Sequence, residues 1–545
     1  MSRGLKSVEL MNDPLNRLPD DVLNTIICKL ELKDAAKTSV LSKRWRYVWI
    51  NHPDLHFTHL NVLGFDYSQL KRNWVGVDTI FVNFVDQIMK QRFKGEDKIN
   101  SFCLRFELGK PFSHCIDKWI SYAVRKDVET IDLDFSRFPF NASRYSSFNH
   151  RFARYNFSLL RTTSENKGSL KHLRVSYCNF MGRSSSKKFD SLVSLKLLKV
   201  NISDIQLTKV LECCSLLQEL SLHNCSNKLT YLSFGDLNNN TRLKVLSLKN
   251  CLKLREINLI CAHNLISLEL ESINISDLQL AKFLEICPIL EELTLNTCSQ
   301  LMYLRIDNSN SSCLKNLSLN SCSNLRETRL CASNLHTLSF TGHKGSFYFQ
   351  RTPNLVNVFI GENINGMHPF SLLESETSVI KNLILSPYHD LYDSVVPSDL
   401  VMKFPNVRRL VLSSSPFKND DELLWVEFIF RSFPLLETLE LNLCSPMINH
   451  AKDRDNVFEK CPNRCITKLE LNGFVGKQHE VVLLEYLLDN LPGLRVLAIG
   501  PSQKVYNGFN SFVNEEASIW GKRWFQIHSN WLRSIVPSFV RIKFL

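Results

Sequence analysis

The chain has 545 residues, of which 44% are hydrophobic and 22% charged, and a formal net charge of +12. That balance excludes a mostly disordered chain, and Gly 18 with Pro 18 excludes collagen-like or proline-rich architectures. The positive excess is too diluted over this length for a nucleic-acid binder, while 17 cysteines are many for a reducing compartment and too few for a disulfide scaffold.

From the N-terminus, Met1–Asn16 alternates charged and apolar residues and lacks the uninterrupted apolar core of a secretory signal. No window reaches the roughly 18 apolar residues of a spanning helix. The expectation is a soluble protein of the nucleus or cytoplasm with reduced thiols and neither membrane nor nucleic-acid partner. Leu18-Pro19-Asp20-Asp21 then opens a helix: Pro19 loses nothing in a first turn, and the two acids meet the positive end of the dipole. Val22, Leu23, Ile26, Ile27 and Leu30 form its apolar stripe. A second helix is expected from Asp34 to Leu41, and a third carries Arg44, Trp45, Val48 and Trp49. Between Ala35 and Ile50 stand Lys37, Lys43, Arg44 and Arg46 with no acid, a local charge of +4.

With Val40-Leu41-Ser42-Lys43-Arg44-Trp45 near its end, this segment, bounded at 12–55, resembles the F-box in its plant form. The resemblance implies docking on a Skp-type adaptor and, through it, a cullin. It would place Leu18, Pro19, Leu30, Val40, Leu41, Lys43, Arg44, Trp45 and Trp49 at or near that interface. Aromatic and arginine side chains are the usual anchors of such contacts. A helical cap that merely closes the adjoining domain is the plainer alternative.

Residues 56–165 read as a linking region with irregular early repeats, Phe102/Leu104 and Ile131/Leu133 being weak copies of a motif that recurs downstream. From 166 to 465 the pattern L-x-x-L-x-L recurs. Its central pairs are Leu173/Val175, Leu195/Leu197, Leu220/Leu222, Leu246/Leu248, Leu268/Leu270, Leu293/Leu295 and Leu317/Leu319. Looser copies continue at Leu338/Phe340, Val358/Ile360, Leu383/Leu385, Leu410/Leu412, Leu439/Leu441, Leu469/Leu471 and Leu497/Ile499. The spacing matches leucine-rich repeats, which cannot bury their apolar side singly and must stack. Inside the array, Asn201-Ile202-Ser203-Asp204-Ile205-Gln206-Leu207 returns as Asn274-Ile275-Ser276-Asp277-Leu278-Gln279-Leu280, so 191–263 is duplicated as 264–335. Helical return segments are expected at Asp204–Cys214 and Asp277–Cys287.

Cys178, Cys225, Cys251, Cys298, Cys322 and Cys444 each lie three residues after the last apolar strand position of their repeat, at the Asn-or-Cys slot where a small side chain turns inward. The array resembles the cysteine-containing leucine-rich repeats of ligase adaptors, and packing is the role expected for most thiols. Cys461-Pro462-Asn463-Arg464-Cys465 lacks the second pair that a zinc site needs. The end of the chain, 466–545, reads as terminal repeats and a cap. Ile466–Gly476, Leu484–Leu488 and Trp531–Pro537 resemble the FBD-type tail of plant F-box proteins.

Residues between the buried leucines point to the concave face, where solenoids usually bind. Phe359, Ile384 and Val411 hold that position in consecutive repeats, with Glu440 and Glu470 next. If exposed, the three would form an apolar patch suited to a protein substrate; the alternative is that looser late repeats tilt them into the core. No phosphate loop, dinucleotide fingerprint, H-E-x-x-H or G-x-S-x-G occurs, so no catalytic, cofactor or metal residue is assigned. The fold expected is α/β: a three-helix F-box leading into a curved parallel sheet with helices and loops on its convex side. The resemblance implies a non-catalytic substrate-recognition subunit of an SCF-type ubiquitin ligase. A small-molecule co-receptor or an adaptor-bound scaffold are the alternatives.

Overall fold

The computed structural model describes residues 18–30, 32–49, 52–64, 76–92, 98–136, 152–158, 169–181, 191–226, 228–234, 242–307, 313–342, 345–361, 373, 378–388, 404–414, 422–443, 461–509, 511–516 and 519–545. They fall into two compact units, Met1–Leu265 and Ile266–Leu545.

In the first unit, parallel strands at 54–58, 101–105, 130–134, 172–176, 194–198, 219–223 and 245–249 pair in chain order. The register aligns Leu55, Phe102, Ile131, Leu173, Leu195, Leu220 and Leu246 in one row. Every member of that row is buried, because alternation sends every second side chain to the same face. Helices at Val77–Arg92, Ser113–Arg125 and Asp204–Cys213 return the chain between strands. Residues 101–105 and 130–134, the weak upstream copies, pair in full register with the regular repeats. The strand at Asp54–Thr58 is not legible in the sequence, because Leu55 and Phe57 stand alone without the leading leucine of the repeat.

The second unit repeats the plan with parallel strands at 267–271, 292–296, 316–320, 337–341, 357–360, 382–388, 409–414, 438–443, 468–472, 496–500 and 541–544. Both members of each leucine pair read from the sequence are buried, except Leu412, which is half-buried. A smaller parallel sheet, 303–306, 327–330 and 346–349, lies on the return segments.

The duplicated motif folds alike in both places. Ser203 and Ser276 cap helices Asp204–Cys213 and Asp277–Ile286, and Gln206 and Gln279 reach back to the cap backbone, so each helix starts on a capping box. The cysteine slot has a backbone cause. Tyr177, Asn224, Asn250, Thr297 and Ser321, each just before a slot cysteine, have φ between 51° and 56°. This left-handed residue ends the strand and turns the next side chain inward. Its own N–H reaches the neighbouring strand end, as in Asn224 N to Lys249 O at 2.8 Å and Thr297 N to Asn320 O at 2.8 Å. Cys225, Cys251, Cys298 and Cys322 are buried there, and their thiols donate to Leu197 O, Leu222 O, Leu270 O and Leu295 O at 3.5–3.6 Å. Burial pushes the Cys178 thiol far up and that of Cys287, in the helical slot, up to about 12, as expected of inert packing groups. No described cysteine is in a disulfide; Cys444 lies outside the described residues.

Candidate docking site

The N-terminal segment forms three short helices: α1, Asp20–Ile27; α2, Leu32–Lys37, extended by a 3₁₀ turn at Thr38–Val40; and α3, Lys43–Val48. Pro19 is the N-cap residue of α1, with Asp20 and Asp21 in its first turn. Ser42 caps α3 by accepting from Trp45 N at 3.4 Å. Helices α1 and α3 pack on one another, and α3 packs on the 3₁₀ turn. The Arg44 guanidinium staples the module. It donates to Asp20 Oδ1 through Nε at 2.8 Å and Nη2 at 2.5 Å, and to Leu18 O through Nη2 at 2.6 Å.

Helical geometry divides the residues expected at the interface into two groups. Leu23, Ile27, Ala35, Trp45, Val48 and Trp49 are the module's core. Trp45 and Trp49, expected at or near the interface, are buried within the module itself, because positions i, i+3 and i+4 of α3 all face inward. Their indole Nε1 atoms have no hydrogen-bond acceptor among the described residues. Val40 is 85% exposed and Leu41 44% exposed. Pro19 is exposed, and Leu18 and Leu30 are half-buried. Arg44 is committed to Asp20, and Lys37 to Asp34 at 2.6 Å, so the local +4 is partly neutralised within the module. The Lys43 side chain lies outside the described residues. Val22, 41% exposed, is an addition: the sequence puts it on the inward stripe, but it precedes Leu23 by one residue and so turns about 100° off the buried line.

The second candidate surface differs more from expectation. Phe359, Ile384 and Val411 are neighbours in register, yet all three are 0% exposed. They do not form an open patch. An antiparallel hairpin, Lys504–Gly508 with Ser511–Asn514, packs against the strand 382–388, and its Tyr506 joins the three in one buried cluster, with Phe509 packed against it. Tyr506 Oη donates to Glu440 Oε1 at 2.8 Å and accepts from Arg409 Nη2 at 3.1 Å. Lys504 Nζ lies 3.1 Å from Glu440 and 3.2 Å from Glu470. Burial and the Glu440 carboxylate raise the pKa of Tyr506. For Lys504, burial is outweighed by its Tyr506 and carboxylate partners, and its pKa rises. In the same unit Thr294 and Ser318, at the equivalent position of earlier strands, remain half-exposed.

Among the described residues, no group of three histidine, cysteine or acidic side chains could hold a metal, and no helix is long and apolar enough to cross a membrane. The architecture is that of a leucine-rich-repeat protein preceded by a three-helix module. A profile of the F-box domain matches residues 15–57, and one described as "At1g61320/AtMIF1, LRR domain" matches residues 98–259 and 232–519. The chain belongs to this family of leucine-rich-repeat domains. Curated relatives from Arabidopsis thaliana include F-box/LRR-repeat protein At3g03360, 26% identical over 46% of this chain and 46% of the relative. F-box/LRR-repeat protein At3g59210 is 36% identical over 23% of this chain and 24% of the relative. The chain thus spans less than half the length of these relatives that it matches.

Proposed function

We propose that this chain is the substrate-recognition subunit of an SCF-type ubiquitin ligase. The carrying observation is that Val40 and Leu41 stay exposed while the neighbouring tryptophans are spent on the module's own core. Together with Pro19, Val22 and the half-buried Leu18 and Leu30, they would be the apolar side chains that a Skp-type adaptor covers. The adaptor links the chain to a cullin, and the leucine-rich repeats hold a target protein. The chain itself performs no bond chemistry in this role; it raises the effective concentration of the target's lysines near the loaded conjugating enzyme, leading to ubiquitination and proteasomal degradation. The compartment is the nucleus or the cytoplasm.

The test is co-purification with recombinant Skp-type adaptor and cullin. The Leu18→Ala, Pro19→Ala double variant should lose both partners while keeping the far-UV circular dichroism of the repeats. Undiminished capture would overturn the proposal.

A further inference from the structure

We infer that Phe359, Ile384 and Val411 with Glu440 and Glu470 form a binding seat for an extended Lys-x-Tyr segment of a target protein, and that the chain's own hairpin is its resident competitor. This deepens the substrate-receptor reading and rests on it.

The floor of the seat is three fully buried apolar side chains on adjacent strands. Beside them Glu440 and Glu470, 2% and 8% exposed, are carboxylates that must meet cations to stay buried. The occupant therefore needs an aromatic body with a hydroxyl tip for the cup and Glu440, and an ammonium between the two acids. Lys504 and Tyr506 supply both, and positions i and i+2 of one strand project to one face, so the pair reads as one epitope.

The hairpin meets the seat as a ligand would. Among the described residues, its strands pair only with each other and do not join the parallel sheet. Among the described residues its hydrogen bonds to the sheet beyond the Lys504 and Tyr506 side chains include Ser386 Oγ to Tyr506 O at 3.0 Å, Phe509 N to Ser339 Oγ at 3.3 Å, Gln503 Nε2 to Leu443 O at 3.3 Å and, at its entry, Gly473 N to Ser502 O at 2.8 Å. All of Ser511–Asn514 is exposed. A lone two-stranded hairpin is marginal in water, so this one opens at a lower free energy than the sheet beneath it. Lifting it would leave the apolar floor and both acids open to a segment of the same chemistry.

The experiment uses the full chain, wild type and Lys504→Ala with Tyr506→Ala, and a fluorescent synthetic peptide of residues 502–516. The double variant should bind the peptide in fluorescence anisotropy. The wild type should bind it about tenfold more weakly or less, because a tethered hairpin competes at an effective concentration of roughly millimolar. A peptide carrying the same two alanines should bind neither chain. A folded double variant that binds neither peptide, or both equally, overturns the seat. Hydrogen exchange of the wild type decides even where the variant fails to fold. Amides pairing 504–508 with 511–514 should exchange about tenfold or more faster than those of 469–471; equal protection would make the hairpin ordinary core and overturn the inference. Adaptor capture is scored on the same two chains: its loss in wild type counts against the ligase role, and loss of peptide binding alone against the seat.

Discussion

Glu470, 8% exposed, receives a hydrogen bond from Lys468 Nζ at 2.9 Å and another from Lys504 Nζ at 3.2 Å, with Glu440 and Asn472 beside it. Burial alone would raise its pKa, but the two ammonium groups outweigh burial and hold it below the ordinary 4.5. A carboxylate held low binds its proton less readily folded than unfolded. Its stabilisation is therefore complete above the unfolded value and is lost as pH falls through the lower native one. Glu470→Gln removes that dependence. As pH falls from neutral through and below 4.5, the wild type should lose more stability than the variant in urea titrations; parallel curves would contradict the assignment. At this scale the sequence was legible where one neighbour decides. The described slot cysteines are buried because the residue before each turns the strand end. Trp45 and Trp49 were less legible, because a tryptophan suits an interface and a core equally. In the module both indoles turn inward, one helical turn apart on the same face of α3.

The capping boxes at Ser203/Gln206 and Ser276/Gln279 show an element written twice by the same local rule. Ser203→Ala and Ser276→Ala should each cost about 1 kcal/mol, and the Ser→Gly variants only a few tenths. Urea unfolding of the four single variants checks this, and equal loss for alanine and glycine would contradict it. The repeat strands and the two return helices of the duplicated block were legible because each is set by spacing within some 25 residues, whereas the helices at Val77–Arg92 and Ser113–Arg125 fall where the repeat is irregular and were not. The hairpin was not. Its partners lie far away along the chain: Glu440 is 66 residues from Tyr506, Ser386 is 120 from it, and Ser339 is 170 from Phe509. Alternation alone cannot say which distant strand a hairpin will cover. Phe359, Ile384 and Val411 are register neighbours, as the repeat spacing implies, but spacing carries no information about what lies on them.

At the scale of the molecule, periodicity resolves the chain into one three-helix module and one kind of repeat. Nothing in the periodicity marked the division between Leu265 and Ile266, because strands on both sides obey the same pattern. The proposed role divides the labour: apolar residues of the first fifty positions hold the adaptor, and the repeats hold the target. If so, changes at the two places, which belong to different compact units, act independently. Calorimetric titration of the purified full chain with recombinant Skp-type adaptor tests this most directly. Wild type and Tyr506→Ala should bind one adaptor with equal affinity. Val40→Asp with Leu41→Asp should bind roughly thirtyfold more weakly or less, the loss of about 2 kcal/mol typical of an interface hot spot. Unchanged affinity in the Val40, Leu41 variant, or no binding by wild type, would contradict the docking role.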